Sequence, residues 1–117
     1  MATPPSLGAD TRLLALAAMR CHRGAPRLTD EELRAHLFTL AGWSFAGNRI
    51  EKTFAFADYG QTIAFVNAVA WIAQRQDHHP DLAVGYDRCS VAFSTHDAGG
   101  VTLNDCICAA KVERLAA

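Results

Sequence analysis

The sequence predicts an α+β two-layer sandwich, a four-stranded antiparallel sheet with three helices on one face, in the order α-β-β-α-β-β-α. Three observations carry this reading. Apolar residues recur at helical spacing in three segments, and they alternate with a period of two in others. Both strand pairs are joined by connections too short for a parallel crossover, which makes the sheet antiparallel and leaves the helices to cover it.

The domain is expected to begin at Leu28, directly after Pro26. Thr29 and Glu32 form a capping-box pattern, with Leu28 and Leu33 at the two positions of a hydrophobic staple, so a helix should run from Asp30 to about Leu40. Gly42 ends it. Trp43 to Phe45 can then pair with Ile50 to Ala57 across the Gly47-Asn48 turn. In the second of these strands Ile50, Lys52, Phe54 and Phe56 share one face. Asp58 with Gln61 starts the longest helix, Tyr59 to about Gln76, whose Ile63, Val66, Ala70 and Ala73, with Phe65, Val69 and Ile72 beside them, form a broad apolar face. Pro80 stops it, because proline cannot continue a helix and disfavours helical geometry at His79. Leu82 to Tyr86 and Cys89 to Thr95 read as the last two strands, and Thr102 with Asp105 begins a final helix reaching about Arg114. Trp43 and Trp71 are expected to pack in the core.

Residues 28–117 are thus read as one domain and residues 1–27 as an N-terminal extension, partly ordered or helical, with the start also open to reading as an Arg- and Ala-rich transit peptide. Half of the 117 residues are hydrophobic and a fifth are charged, which excludes a disordered or low-complexity chain. A net charge of −1 and no basic stripe speak against direct contact with nucleic acid. No run approaches the roughly 18 apolar residues of a membrane span. Cys21, Cys89, Cys106 and Cys108 show no CxxC spacing, so a reduced, cytoplasmic chain is expected, without a metal site. A small sheet with open edges invites association with a second copy.

The chemistry-bearing residues are histidines at element ends. His78 and His79 adjoin the end of the long helix, and His96 follows the last strand before Gly99 and Gly100. Imidazole, with an ordinary pKa of about 6.5, can give or take a proton near neutrality, so three such groups around one cleft suit proton transfer. Metal ligation is the rival chemistry, but the pair lacks the i, i+4 helical spacing of common zinc motifs. As plain structure, His78 would cap helical carbonyls and His96 would be a surface turn residue.

The ordered set Asp77-His78-His79-Pro80, Tyr86, Ser94-Thr95-His96-Asp97-Ala98-Gly99-Gly100 and Asp105 resembles the signature of the pterin-4a-carbinolamine dehydratase family. The similarity runs from Leu28 onward and includes Gly42-Trp43. It implies dehydration of a 4a-hydroxytetrahydropterin to the quinonoid dihydropterin with loss of water, in tetrahydropterin recycling after aromatic amino-acid hydroxylation, with no cofactor. It also implies a homodimer or homotetramer. The resemblance implies that His78, His79 and His96 are the catalytic residues, with His78 and His96 as the acid–base pair in either order and His79 orienting. Pro80, Thr95 and Asp105 join them in binding the pterin. For Asp105, three residues into a helix, capping is an equal reading. Gln74 stands where the family usually has a charged residue, often Glu, which puts the rate or pH optimum in question. Two alternatives share the fold: a non-catalytic helper that binds a partner protein, and a dehydratase acting on another pterin such as a molybdopterin intermediate.

Overall fold

The computed structural model describes residues 7–116, so the first six residues of the N-terminal extension lie outside the described residues. Four helices and four strands follow in the order α1 (Leu7–Ala18), α2 (Asp30–Thr39), β1 (Ser44–Ala46), β2 (Arg49–Ala55), α3 (Tyr59–Gln76), β3 (Asp81–Val84), β4 (Arg88–Phe93) and α4 (Leu103–Ala116), with a short 3-10 turn at His96–Ala98. The strands form one antiparallel sheet in the order β1-β2-β4-β3.

The capping signals act as the sequence implies. Thr29 accepts from the Glu32 N–H at 3.1 Å while Glu32 accepts from the Thr29 N–H at 3.0 Å, a complete capping box that fixes the start of α2. Asp58 accepts from the Gln61 N–H at 2.8 Å and fixes the start of α3. At the other end of α3, Asp77 takes the left-handed conformation at φ 50°, and its N–H bonds the carbonyl of Gln74. That reversal turns the chain abruptly at His78.

The register puts Ile50 opposite Phe93 and Phe54 opposite Cys89, so these residues and Val91 share the covered face of the sheet. They pack with Phe65 and Val69 of α3 and with Cys106, Ile107 and Ala110 of α4 in one core. The other face carries Thr53 and Ser90, whose hydroxyls lie 2.7 Å apart and exposed. Buried α3 positions are Thr62, Phe65, Val69 and Ala73, so the inward stripe is narrower than the apolar pattern implies. Thr62 is accommodated there because its hydroxyl reaches the carbonyls of Asp58 and Tyr86, each at 2.9 Å. Trp43 is buried and its indole N–H donates to Glu113 at 2.8 Å. Trp71, expected to pack, is instead 60% exposed, with the Arg75 guanidinium over its ring.

The helix count exceeds the expected three because of α1. This element packs on α4 and α2 and buries Leu16 and Ala17 in the common core. The Lys111 ammonium donates to the Ala17 carbonyl at 2.6 Å, satisfying an acceptor that the helix end leaves open. From there residues 19–27 run back as a strap, which ends in a bridge pairing Arg27 with Thr102. Among the described residues no helix is long and apolar enough to cross a membrane.

Candidate active site

The end of α3, the turn after β4, the first turn of α4 and the strap meet around a cleft of about 660 Å³. Its lining includes Cys21, His22 and Arg23 from the strap, His78 from the α3 exit, Thr95 and Asp97 from the turn, and Asn104 from α4. Each arrives there for a local reason. The left-handed Asp77 and the following Pro80 set His78 just beyond the helix, and the His78 N–H still bonds the Ala73 carbonyl at 3.1 Å. Thr95 and Gly100 are paired across the turn, which holds the Thr95 side chain over the start of α4.

At the base of the cleft lies a closed hydrogen-bond network centred on Asp105, which is fully buried. One carboxylate oxygen, Oδ1, lies 2.5 Å from His78 Nε2. The other, Oδ2, accepts from the Thr95 hydroxyl and from the Thr102 backbone N–H, both at 2.8 Å. The Thr95 and Thr102 hydroxyls are themselves 2.8 Å apart. A buried carboxylate with three partners is held rigidly, and no buried side-chain polar atom among the described residues is left unpaired.

The His78 side chain is 13% exposed, and its ring lies nearly parallel to Phe93 at 6.1 Å between centroids. Its hydrogen bond to Asp105 raises its pKa above the ordinary histidine value, reinforced by the Asp105 charge and opposed by burial. With Nε2 turned to Asp105, Nδ1 is the ring nitrogen left to face a ligand. The arrangement therefore favours the protonated imidazole at the foot of a polar cleft, which suits a general acid.

The structure brings together His78, Thr95 and Asp105 but not all six residues named from the sequence. His79 and His96 are exposed and Pro80 is half-buried, and none of the three lines the cleft, although Thr95, Asp97 and Ala98 on either side of His96 do. Gln74 is exposed as well. Asp105 caps α4 through the Thr102 N–H, and its other carboxylate oxygen contacts His78. What the sequence did not reveal is the strap wall. Cys21 N–H donates to Gln76 at 2.9 Å, and Asn104 clasps His22 from both sides, accepting its N–H at 3.1 Å and donating to its carbonyl at 2.7 Å. The only signal for it was the unassigned charge and thiol cluster Arg20-Cys21-His22-Arg23. Among the described residues no three His, Cys, Asp or Glu side chains converge as a metal site would require.

The family model described as pterin 4 alpha carbinolamine dehydratase matches residues 26–115, which contain the whole sheet and the His78–Asp105 pair. The chain belongs to that family. Membership in the pterin 4 alpha carbinolamine dehydratase family places it among the hydro-lyases, enzymes that expel water. A relative from Nitrosospira multiformis is 50% identical over 91% of this chain and 96% of its own length, and one from Chromobacterium violaceum is 53% identical over 88% and 94%. Both bear the name "Putative pterin-4-alpha-carbinolamine dehydratase". Coverage of 91% exceeds what residues 28–117 can supply, so likeness to dehydratase relatives reaches back into the strap and α1. Among solved structures, a transcriptional coactivator/pterin dehydratase from Brucella melitensis superposes with a TM-score of 0.75 at 33% identity, covering 78% of this chain and 99% of that one.

Proposed function

We propose that the protein dehydrates a 4a-hydroxytetrahydropterin, the pterin-4a-carbinolamine, to the quinonoid dihydropterin by histidine acid–base chemistry, as a step in tetrahydropterin recycling. The observation that carries this is the buried Asp105 carboxylate 2.5 Å from His78 Nε2 at the base of the cleft. The reaction breaks the C4a–O bond and removes the proton on N5, so an acid must meet the departing hydroxyl and a base the ring nitrogen. His78, whose protonated form Asp105 favours, is the acid that protonates the C4a hydroxyl so that it leaves as water. His96, on the turn whose neighbours line the cleft, is the base that takes the N5 proton. His79 and Pro80 orient the segment, and Thr95 and Asp105 hold the polar floor against which the flat pterin lies. Nothing in this scheme calls on a metal or cofactor. The protein would act in the cytoplasm as a homodimer or homotetramer assembled through its open sheet edges.

The test is stopped-flow absorbance of 4a-hydroxytetrahydropterin decaying to the quinonoid product. Wild-type protein should accelerate it, and His78→Ala and His96→Ala should each lose roughly 10²- to 10⁴-fold, the usual contribution of one acid or base. A folded wild-type protein that leaves the spontaneous rate unchanged would overturn the proposal.

The Brucella melitensis neighbour is a transcriptional coactivator/pterin dehydratase, which favours one second reading, a partner-binding role for the same fold. It predicts retention of a protein partner by the His78→Ala, His96→Ala double variant, in which pterin turnover is gone.

A further inference from the structure

The strap crosses α4 at a point where two thiols face each other, Cys21 and Cys108, with Sγ atoms 3.5 Å apart. Cys21 is half-buried and lines the cleft, whereas Cys108 is fully buried behind it. The Cys21 backbone is fixed by Gln76, its thiol also reaches the Asn104 carbonyl at 3.6 Å, and the paired Asn104–His22 bonds hold the next residue. The sulfurs are therefore aimed at each other by four surrounding contacts, and about 1.5 Å of approach would bring them to the covalent separation of about 2.05 Å. We propose that Cys21 and Cys108 are a reversible redox pair, converted by a low-molecular-weight disulfide such as oxidised glutathione into a disulfide that ties the strap to α4 at the wall of the cleft.

The two thiols are chemically unequal in the way such exchange requires. Hydrogen bonding from Cys108 draws the Cys21 pKa below its ordinary value, against the effect of burial, and the nearby His78 and Lys111 charges add to this. Cys108 is pushed the other way by its bond to Cys21 and by burial. Cys21 thiolate attacks one sulfur of the small disulfide, whose S–S bond breaks and releases one small thiolate. Cys108 then loses its proton and attacks Cys21 Sγ, forming the internal S–S bond and expelling the second small thiolate. The protein pair gives up two electrons and two protons, and the small disulfide is reduced to two thiols. Cys89 and Cys106 are buried elsewhere and stay as thiols.

The experiment takes the full chain, incubates it with oxidised glutathione, alkylates the remaining thiols and digests with trypsin. Thiols titrated after denaturation should fall from four to two, and the peptide Cys21–Arg23 should be found linked to the peptide Cys89–Lys111 until dithiothreitol separates them. The link should persist in Cys106→Ala and disappear in Cys21→Ser. Fragmentation of the linked wild-type peptides should place the bond on Cys108, which makes the result independent of whether a Cys108 variant folds. Four titratable thiols after incubation, a stable glutathione adduct on Cys21, or a link through Cys89 or Cys106 would each overturn the proposal. None of these readouts depends on turnover of a pterin.

Discussion

Asp105 serves the fold and the cleft with the same carboxylate. Its Oδ2 closes the first turn of α4 and its Oδ1 holds His78, so the helix that buries the core also aims that imidazole. An NMR titration of the His78 ring should give a midpoint above the ordinary value of about 6.5. In Asp105→Asn the midpoint should drop below that of the wild type, because burial then acts on the imidazolium with the largest opposing contribution, the Asp105 hydrogen bond and charge, removed. An unchanged midpoint would show that the pair is not what holds the proton. Thr95→Val should lower turnover with little change in fold, since it removes one donor to Asp105 and leaves that of the Thr102 N–H. At this scale the candidate site was partly legible: of the three histidines at element ends, His78 lines the cleft, and the resemblance names Thr95 and Asp105, which are hydrogen-bonded beside it. Cys21 and Asn104 were not legible, because a contact between residues 83 apart leaves no periodicity or spacing to read.

Among the elements, those with chemical punctuation were the easiest to place. Thr29 with Glu32, and Asp58 with Gln61, announced α2 and α3, and Pro80 announced the exit. The α1 segment is legible only as a partly ordered or helical extension, and its place in the core is not, because its partner, α4, is the most distant element in the chain. Its burial gives a direct test. Leu16→Ala should cost about 2–5 kcal/mol in urea unfolding, the range for a buried leucine, and a loss under about 0.5 kcal/mol would mean that α1 is not part of the core. Gly42 offers a second test. It stands at φ 86°, and an added Cβ would come within 2.9 Å of the Lys52 side chain, which bridges Ala41 and Glu113. Gly42→Ala should therefore destabilise by more than the ~1 kcal/mol of left-handed strain alone, measured in the same urea titration.

For the molecule as a whole, composition and connection lengths were enough to set the class, because antiparallel pairing and one-sided covering follow from them. Trp71 escaped because the helical pattern says which residues are apolar and not how wide a face the sheet can cover. Stability of the whole should fall on the alkaline side in two stages. His78 has a raised folded pKa, so its contribution is complete below about pH 6.5 and is lost as the pH climbs through the folded value. Burial pushes the Cys106 thiol up from 9.0 to about 12, and Cys89 and Cys108 move in the same direction, so above pH 9 the unfolded chain loses protons that the folded one keeps. Cys21, shifted downward, offsets part of this. Urea midpoints measured from about pH 6 to about pH 10 should decline throughout, and Cys106→Ala should flatten the upper stage.

The grip of Lys111 on the end of α1 also has a meaning for how the molecule is made. Ala17 leaves the ribosome 94 residues ahead of the lysine that holds its carbonyl. At about 5–20 residues per second, the first helix therefore waits roughly 5 to 20 seconds for its partner, with Leu16 uncovered. The strap, and with it one wall of the cleft, is synthesised before the α4 residues that hold it. Slow translation would lengthen the interval in which α1 is available to chaperones, and the cleft becomes competent only after α4 has emerged.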